Sequence, residues 1–121
     1  MDLTVKAVVN PTERADKVLK AVENLFPNLE FGEKDGVLSA RGINKNDLAT
    51  FKELLKQQQI RDTARGFLSK RIDGNKLSFQ LNKQAAYMGK VNFVDFDIAL
   101  GTIRVEIKGK DLEGLVEWLC G

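Results

Sequence analysis

The side chains best suited to chemistry are cations and amides that gather between residues 61 and 90. Seven Lys/Arg residues there stand against Asp62 and Asp73, which leaves a local charge of +5, whereas the whole chain carries +2. A localised positive field attracts a polyanion, and these side-chain types bind phosphate oxygens and base edges. The stretch therefore predicts a basic surface for a nucleic acid. Its candidate binding residues are Arg61, Arg65, Lys70, Arg71, Asn82, Lys83, Gln84 and Lys90.

The spacing of these cations also permits a purely structural interpretation. Arg61 and Arg65 are four residues apart on a predicted helix, so their side chains lie one above the other. Lys70 and Arg71 follow at the end of that helix, where cations stabilise the negative end of the helix dipole. A solvated charged face without any ligand is the competing interpretation. Residues 1–59 hold nine Lys/Arg and nine Asp/Glu, so lysines from that half are expected to contribute little to binding.

Two aromatic residues add a second chemical signal. Tyr87, the only tyrosine, lies within the basic stretch, where it could stack on an unpaired base or simply cover the edge of the core. Trp118 lies beside the apolar stripe of the last predicted helix, where it could cover the core or anchor an interface. We expect that this helix or a sheet edge supports a homodimer.

The sequence lacks the commonest catalytic signatures. It contains no histidine and no phosphate-binding glycine-rich motif, which removes the commonest general base and metal ligand. Asp95 and Asp97 could share one face of a strand and hold Mg²⁺, but they also suit the solvated side of that strand. Cys120 has no basic neighbour in sequence and is expected to be an inert terminal thiol. We therefore predict no catalytic residue, no metal, no cofactor and no enzymatic activity.

Length and cysteine usage set the expected context of the chain. With 121 residues the chain fits a single domain, spanning 1–121, that can bury a core without disulfides. A lone cysteine, the lack of a signal-peptide pattern and the lack of a long apolar run predict a cytoplasmic protein with no membrane partner.

The elements that must position these residues follow from hydrophobic periodicity. Residues 3–9, 77–81 and 102–108 alternate apolar and polar side chains, so each predicts a strand with one buried face. Helical patterns intervene, and we expect helices that begin near Pro11, Asn46 and Leu112 to cover the sheet. The predicted fold is α+β, with a single-layer, mostly antiparallel sheet and helices packed on one of its faces.

Local signals predict where several elements begin and end. Asn10 with Glu13, and Asn44 with Asp47, have the spacing of helix starts. The Asp35-Gly36 pair predicts a hairpin turn. The run 57–59, Gln-Gln-Gln, predicts either a bend in one continuous helix or a break between two. Three further boundary signals are a cap at Asn82, a stop at Gly89 and a cap at Asp111.

The chain resembles a known family over nearly its whole length, with the specific motifs between residues 61 and 107. The segments that carry the resemblance are 81–93, LNKQAAYMGKVNF, together with 61–65, RDTAR, and 100–107, LGTIRVEI. These segments are similar to archaeal uncharacterised protein family 0201. The resemblance implies a fold similar to the ribosomal protein that binds 5S rRNA in the large subunit. It also implies an archaeal cytoplasmic origin. The expected partner is RNA, either a ribosomal RNA or another structured RNA.

Together these observations predict a non-enzymatic RNA-binding module of unknown target, with its basic surface in residues 61–90. The alternative is a protein-interaction or assembly module that has no nucleic-acid ligand. The first hypothesis requires the basic residues to share one face, whereas a large exposed apolar patch around Trp118 would favour the second.

Overall fold

A computed structural model describes residues 1–95 and 101–121 of the chain. The strands within these ranges are β1 (Asp2–Val8), β2 (Gly32–Lys34), β3 (Val37–Gly42), β4 (Ile72–Asp73), β5 (Lys76–Asn82), β6 (Phe93–Val94) and β7 (Thr102–Lys108). The helices are α1 (Ala15–Leu25), α2 (Ala49–Gln57), α3 (Arg61–Ser69), α4 (Lys83–Tyr87) and α5 (Leu112–Leu119). A short 3₁₀ turn, Lys45–Leu48, precedes α2.

The strands form one antiparallel sheet in the order β2-β3-β1-β7-β5-β4, and β6 also pairs with β5. The three strands predicted from alternation lie side by side at its centre. Val105 of β7 is opposite Val5 of β1 on one side and Phe79 of β5 on the other. The prediction that these strands share one sheet is therefore confirmed.

Only one face of the sheet is buried, and the helices cover it. The inward residues of β1, β5 and β7 join the helices in one hydrophobic core. Phe51 of α2 lies at its centre, with its ring 5.7 Å from that of Phe26, 5.8 Å from that of Phe79 and 6.3 Å from that of Phe93. This arrangement confirms the predicted α+β architecture, because each alternating strand has one apolar face to bury.

The opposite face of the sheet carries polar and charged side chains. Its register places Lys6 of β1 between Ser39 of β3 and Arg104 of β7. Lys108 of β7 is opposite Lys76 of β5, and both side chains are exposed. We call this surface the open sheet face, and it lies on the side of the sheet away from the helices.

The first helix begins later than predicted. The spacing of Asn10 and Glu13 indicated a helix from Pro11, but α1 starts at Ala15. The Asn10 backbone N–H does donate to Glu13 Oε1 at 3.0 Å, as a capping box requires, and Glu13 N–H donates to the Asn10 carbonyl at 2.9 Å. Arg14 is extended, with φ −90° and ψ 128°, so this single turn cannot continue directly into the helix.

Other boundary signals are confirmed, and the glutamine run is resolved as a break. Asp35 and Gly36 both have positive φ, of 53° and 75°, in the predicted hairpin turn. Gln59 has φ 58°, and the Ile60 N–H donates to the Leu55 carbonyl, which is the Schellman ending of a helix. Helices α2 and α3 are therefore separate.

No helix in the described part of the chain combines the length and the apolar character needed to cross a membrane.

Candidate nucleic-acid interface

The structure distributes the eight predicted binding residues over different parts of the surface. Arg61 and Arg65 lie on α3, beside the C-terminal residues of the chain. The Arg61 side chain donates to the Gly121 carbonyl at 3.3 Å, and Arg65 donates to the Cys120 carbonyl at 3.0 Å. Arg65 also pairs with Glu117 at 3.2 Å and with its neighbour Asp62 at 3.0 Å. Both arginines thus hold the end of the chain against α3.

Lys70 and Arg71 follow α3 at a second place. The Arg71 guanidinium lies 2.6 Å from Asp95 Oδ1 and 4.2 Å from the centre of the Phe67 ring. Asp95 therefore neutralises Arg71. Asp97, the other half of the proposed Mg²⁺ pair, lies outside the described residues. Lys70 is exposed.

Asn82, Lys83, Gln84 and Lys90 lie at a third place, around α4. The Asn82 side chain accepts from the Ala85 N–H at 2.9 Å, which confirms the predicted cap. Gly89 has φ 76°, and the Lys90 N–H donates to the Ala85 carbonyl, so the helix stops where predicted. Gln84 and Lys90 are exposed.

Lys83 differs from its neighbours because it is buried, with 6% of its surface exposed. Its ammonium group donates to the Val8 carbonyl at 2.7 Å and to Glu13 Oε1 at 2.9 Å. These bonds join the end of β1, the turn before α1 and the start of α4. A buried cation held in this way serves the fold, and an RNA phosphate would have to displace Glu13 to reach it.

The surroundings of Glu13 favour the ionised carboxylate that pairs with the Lys83 ammonium group. Burial raises the pKa of the Glu13 carboxyl, but hydrogen bonds from the Asn10 backbone, the Lys83 ammonium and the Asn10 side chain more than offset that effect. The attraction to Lys83 adds to them, so the pKa lies below its ordinary value of 4.5. Glu13 is therefore ionised near neutral pH, and its carboxylate holds the Lys83 ammonium group in place.

A groove between α1 and α4 is lined both by a predicted binding residue, Gln84, and by α1-side cations that were not predicted. Its volume is about 600 Å³, and Gln84, Tyr87 and Met88 line its α4 side. Arg14 and Lys17 line the α1 side, while the Lys20 ammonium lies 4.9 Å from the centre of the Tyr87 ring. We call this feature the α1–α4 groove.

The α1 cations were missed because they belong to a stretch with no net charge. Arg14, Lys17 and Lys20 are exposed and three residues apart, so they follow one side of the helix and its entry. That spacing was the available signal. Of the nearby acidic residues, Glu13 lines the groove and pairs with Lys83, whereas Asp16 and Glu23 do not line it, although Asp16 pairs with Arg14 at 3.2 Å. Lysines of the neutral half therefore lie beside Gln84 and Tyr87, and their expected small contribution to binding stays a prediction.

Trp118 and Cys120 lie at the end of the last helix, one covered by cations and the other buried. The ammonium groups of Lys45 and Lys52 lie 4.8 Å and 5.4 Å from the Trp118 ring, so two cations cover a residue considered as an interface anchor. Self-association through this helix stays a prediction. Cys120 is buried, and burial raises the pKa of its thiol although Arg65 opposes the shift. The thiol is therefore protonated near neutral pH.

Metal-ligating side chains do not gather at any of these places. Across residues 1–95 and 101–121, no group of three or more Cys, Asp and Glu side chains is arranged to hold a metal ion.

Substitutions at Asn82 test how much its side-chain cap stabilises the fold. Asn82→Ala should lower the free energy of unfolding by about 1 kcal/mol, because the Ala85 N–H loses its acceptor. Asn82→Asp should retain most of the stability, since its carboxylate can accept the same bond. Urea denaturation measures both variants, and equal losses in the two would show that the cap contributes little.

Comparison with known proteins finds archaeal relatives that match this chain over nearly its whole length. Residues 2–109 match the model of a protein family described as RNA binding. The chain is 42% identical to a UPF0201 protein of Methanothermobacter thermautotrophicus over 96% of this chain and 88% of the relative. It is 41% identical to one of Thermococcus kodakarensis, over 98% and 88%. A crystal structure of the UPF0201 protein from Methanococcus jannaschii has 38% identity and a TM-score of 0.84, over 99% of this chain and 92% of that chain.

Proposed function

The chain belongs to the UPF0201 family of archaeal proteins, and we propose that it is a non-enzymatic RNA-binding protein that uses the α1–α4 groove. The description of the matching family model supports the class of ligand. The observation that carries the site is the convergence of Arg14, Lys17 and Lys20 with Gln84 and Tyr87 around one concave surface.

The chemistry of the groove suits an RNA strand better than it suits a protein. Exposed cations along one side can contact successive phosphates, and an amide and an aromatic ring on the other side suit a base. Lys70 and Lys90, two of the exposed cations of the 61–90 stretch, add to the positive field that brings RNA to the surface. The arginines of α3 contribute less, because carboxylates and carbonyl groups of the chain already engage them.

The absence of histidine supports a role without catalysis. The chain has no imidazole to act as a general base near neutral pH, and Cys120 is buried and protonated. Binding requires only positioned donors and aromatic surface, which the groove offers.

The salt dependence of RNA affinity tests the proposal. The triple variant Arg14→Ala, Lys17→Ala, Lys20→Ala should flatten the slope of log affinity against log salt by about 2 to 3 units, since each phosphate contact contributes roughly 0.7 to 0.9. Fluorescence anisotropy with single-stranded and structured RNA over a salt series measures this slope. Lys83 is left intact because its removal would disturb the fold.

A charge-matched control comes from the open sheet face. Lys6→Ala, Arg41→Ala, Lys108→Ala also removes three positive charges, but from exposed residues on the other side of the sheet. This control should leave the slope nearly unchanged. If the slope of log affinity against log salt flattens only in the control variant, the RNA site lies on the open sheet face instead. If the wild-type protein binds neither RNA at low salt, RNA binding is wrong and the assembly-module hypothesis takes its place.

A further inference from the structure

We propose that the α1–α4 groove takes one unpaired nucleotide of an RNA strand, with its base stacked on Tyr87. This inference rests on the proposed RNA-binding function and specifies the ligand of the groove. Paired bases are stacked inside a duplex and cannot reach a side chain in this way, so the ligand is a single strand, a loop or a bulge.

Apolar surface at the mouth of the groove is the first observation behind the proposal. Tyr87 is partly exposed, and its neighbour Met88 is 73% exposed. Val18 and Ala21 of α1 lie behind the groove and are already buried in the core. A planar base against Tyr87 and Met88 would remove their exposed apolar surface from water. A volume of about 600 Å³ has room for a nucleotide, not for a duplex.

The Tyr87 ring is also held on a fixed support. Asn24 of α1 donates from its side chain to the carbonyls of Ala86 at 3.0 Å and Tyr87 at 3.1 Å. The ion pair between Lys83 and Glu13 ties the start of α4 to the entry of α1. Both ends of this short helix are therefore fixed against α1. A preformed platform loses little conformational freedom when a base stacks on it.

The surrounding cations favour a nucleotide over an uncharged aromatic ligand. Lys20 lies over the Tyr87 ring in a cation–π contact, which at an exposed site is weaker than stacking of a base on an aromatic ring. A stacked base would displace this ammonium group, which could then reach the phosphate of the same nucleotide. Arg14 and Lys17 line the groove beside it, and the exposed Gln84 amide can donate to and accept from a base edge.

The single tyrosine makes this proposal directly measurable. Labelling the protein with meta-fluorotyrosine places one fluorine signal at residue 87. Titration with a ten-nucleotide single-stranded oligouridylate or oligoadenylate at low salt should shift this signal by ring-current and solvent effects. A blunt RNA duplex of the same length should bind through phosphates without a comparable shift.

Substitutions give an independent readout of affinity. Tyr87→Leu should weaken single-strand binding about tenfold, which is within the range measured for base–aromatic stacking, whereas Tyr87→Phe should stay within about twofold. Trp118→Leu is the matched control, because Trp118 is another partly exposed aromatic with lysines over its ring. It should not affect binding.

The outcomes separate this proposal from the function on which it rests. If anisotropy shows salt-dependent RNA binding while the fluorine signal stays unmoved and Tyr87→Leu binds like the wild type, the nucleotide site is wrong and RNA binding stands. Equal fluorine shifts with the duplex and the single strand would also overturn it. If no RNA binds at low salt, both proposals fail together.

Discussion

Replacing Lys83 with methionine should lower the free energy of unfolding by about 3 kcal/mol. The substitution keeps the length of the side chain but removes the ammonium group that Val8 and Glu13 share. Glu13 would remain partly buried beside an apolar group without its cation. We expect a loss at the lower end of the range for buried pairs, because the Glu13 side chain retains 28% exposure to water. Urea denaturation measures the loss.

Two further variants show whether the pair itself is responsible. Lys90→Met removes an exposed lysine from just beyond the same helix and should change stability little. The double variant Glu13→Gln, Lys83→Met should recover part of the loss, since no unpaired charge is left and glutamine can still accept from Asn10. If Lys83→Met is as stable as Lys90→Met, the pair makes no net contribution to the fold.

The pH dependence of stability gives a second test of the same pair. The pKa of Glu13 is lower in the folded state than its ordinary value of 4.5, so the unfolded state binds the proton more readily. The contribution of Glu13 to stability is therefore fully present above that ordinary value. It is lost as the pH falls through the lower pKa of the folded state. In Lys83→Met this acid-sensitive part should shrink, because the carboxylate has lost its cation.

Removing the ring of Phe51 should lower the free energy of unfolding by about 3–5 kcal/mol. Phe51 is fully buried, and its ring contacts those of Phe26 just after α1, Phe79 in β5 and Phe93 in β6. Phe51→Ala would leave a cavity between the helices and the sheet. Equilibrium denaturation measures the change.

The matched control for Phe51 is another phenylalanine at the margin of the core. Phe31 is only partly buried, and Phe31→Ala should cost less than half as much because water and neighbouring chain can fill the space. Equal losses in the two variants would mean that Phe51 is not the centre of the core.

Whether a cation of this protein is available to a ligand depends on which side chains neutralise it. The stretch 61–90 has the largest local excess of positive charge, yet Arg65, Arg71 and Lys83 each pair with a carboxylate of the same chain. Helix α1 belongs to a neutral stretch, yet its Lys17 lines the groove while Glu23 does not, and Asp16 meets the groove only through its ion pair with Arg14. Potential at a surface depends on these positions in space, so a count along the chain is an incomplete guide.

Local physics allowed much of the fold to be predicted from the sequence. The alternation in β1, β5 and β7 identified strands with one buried face, since successive side chains of a strand point to opposite sides. The caps at Asn44, Asn82 and Asp111 were predictable because each cap binds a backbone group only two or three residues away. The Asp35-Gly36 turn was predictable because glycine tolerates positive φ at little steric cost.

The tertiary structure alone decided which polar groups of the candidate site meet. Lys83 and Glu13 are separated by 70 residues along the chain, and Asn24 reaches carbonyls 62 and 63 residues away. The helix predicted to start near Pro11 starts at Ala15, after a turn whose glutamate also binds Lys83. Caps and alternation depend on neighbours in sequence, whereas ion pairs and grooves depend on how helices dock on the sheet. That docking buries Lys83 and leaves Tyr87 partly exposed, although both belong to the same short helix.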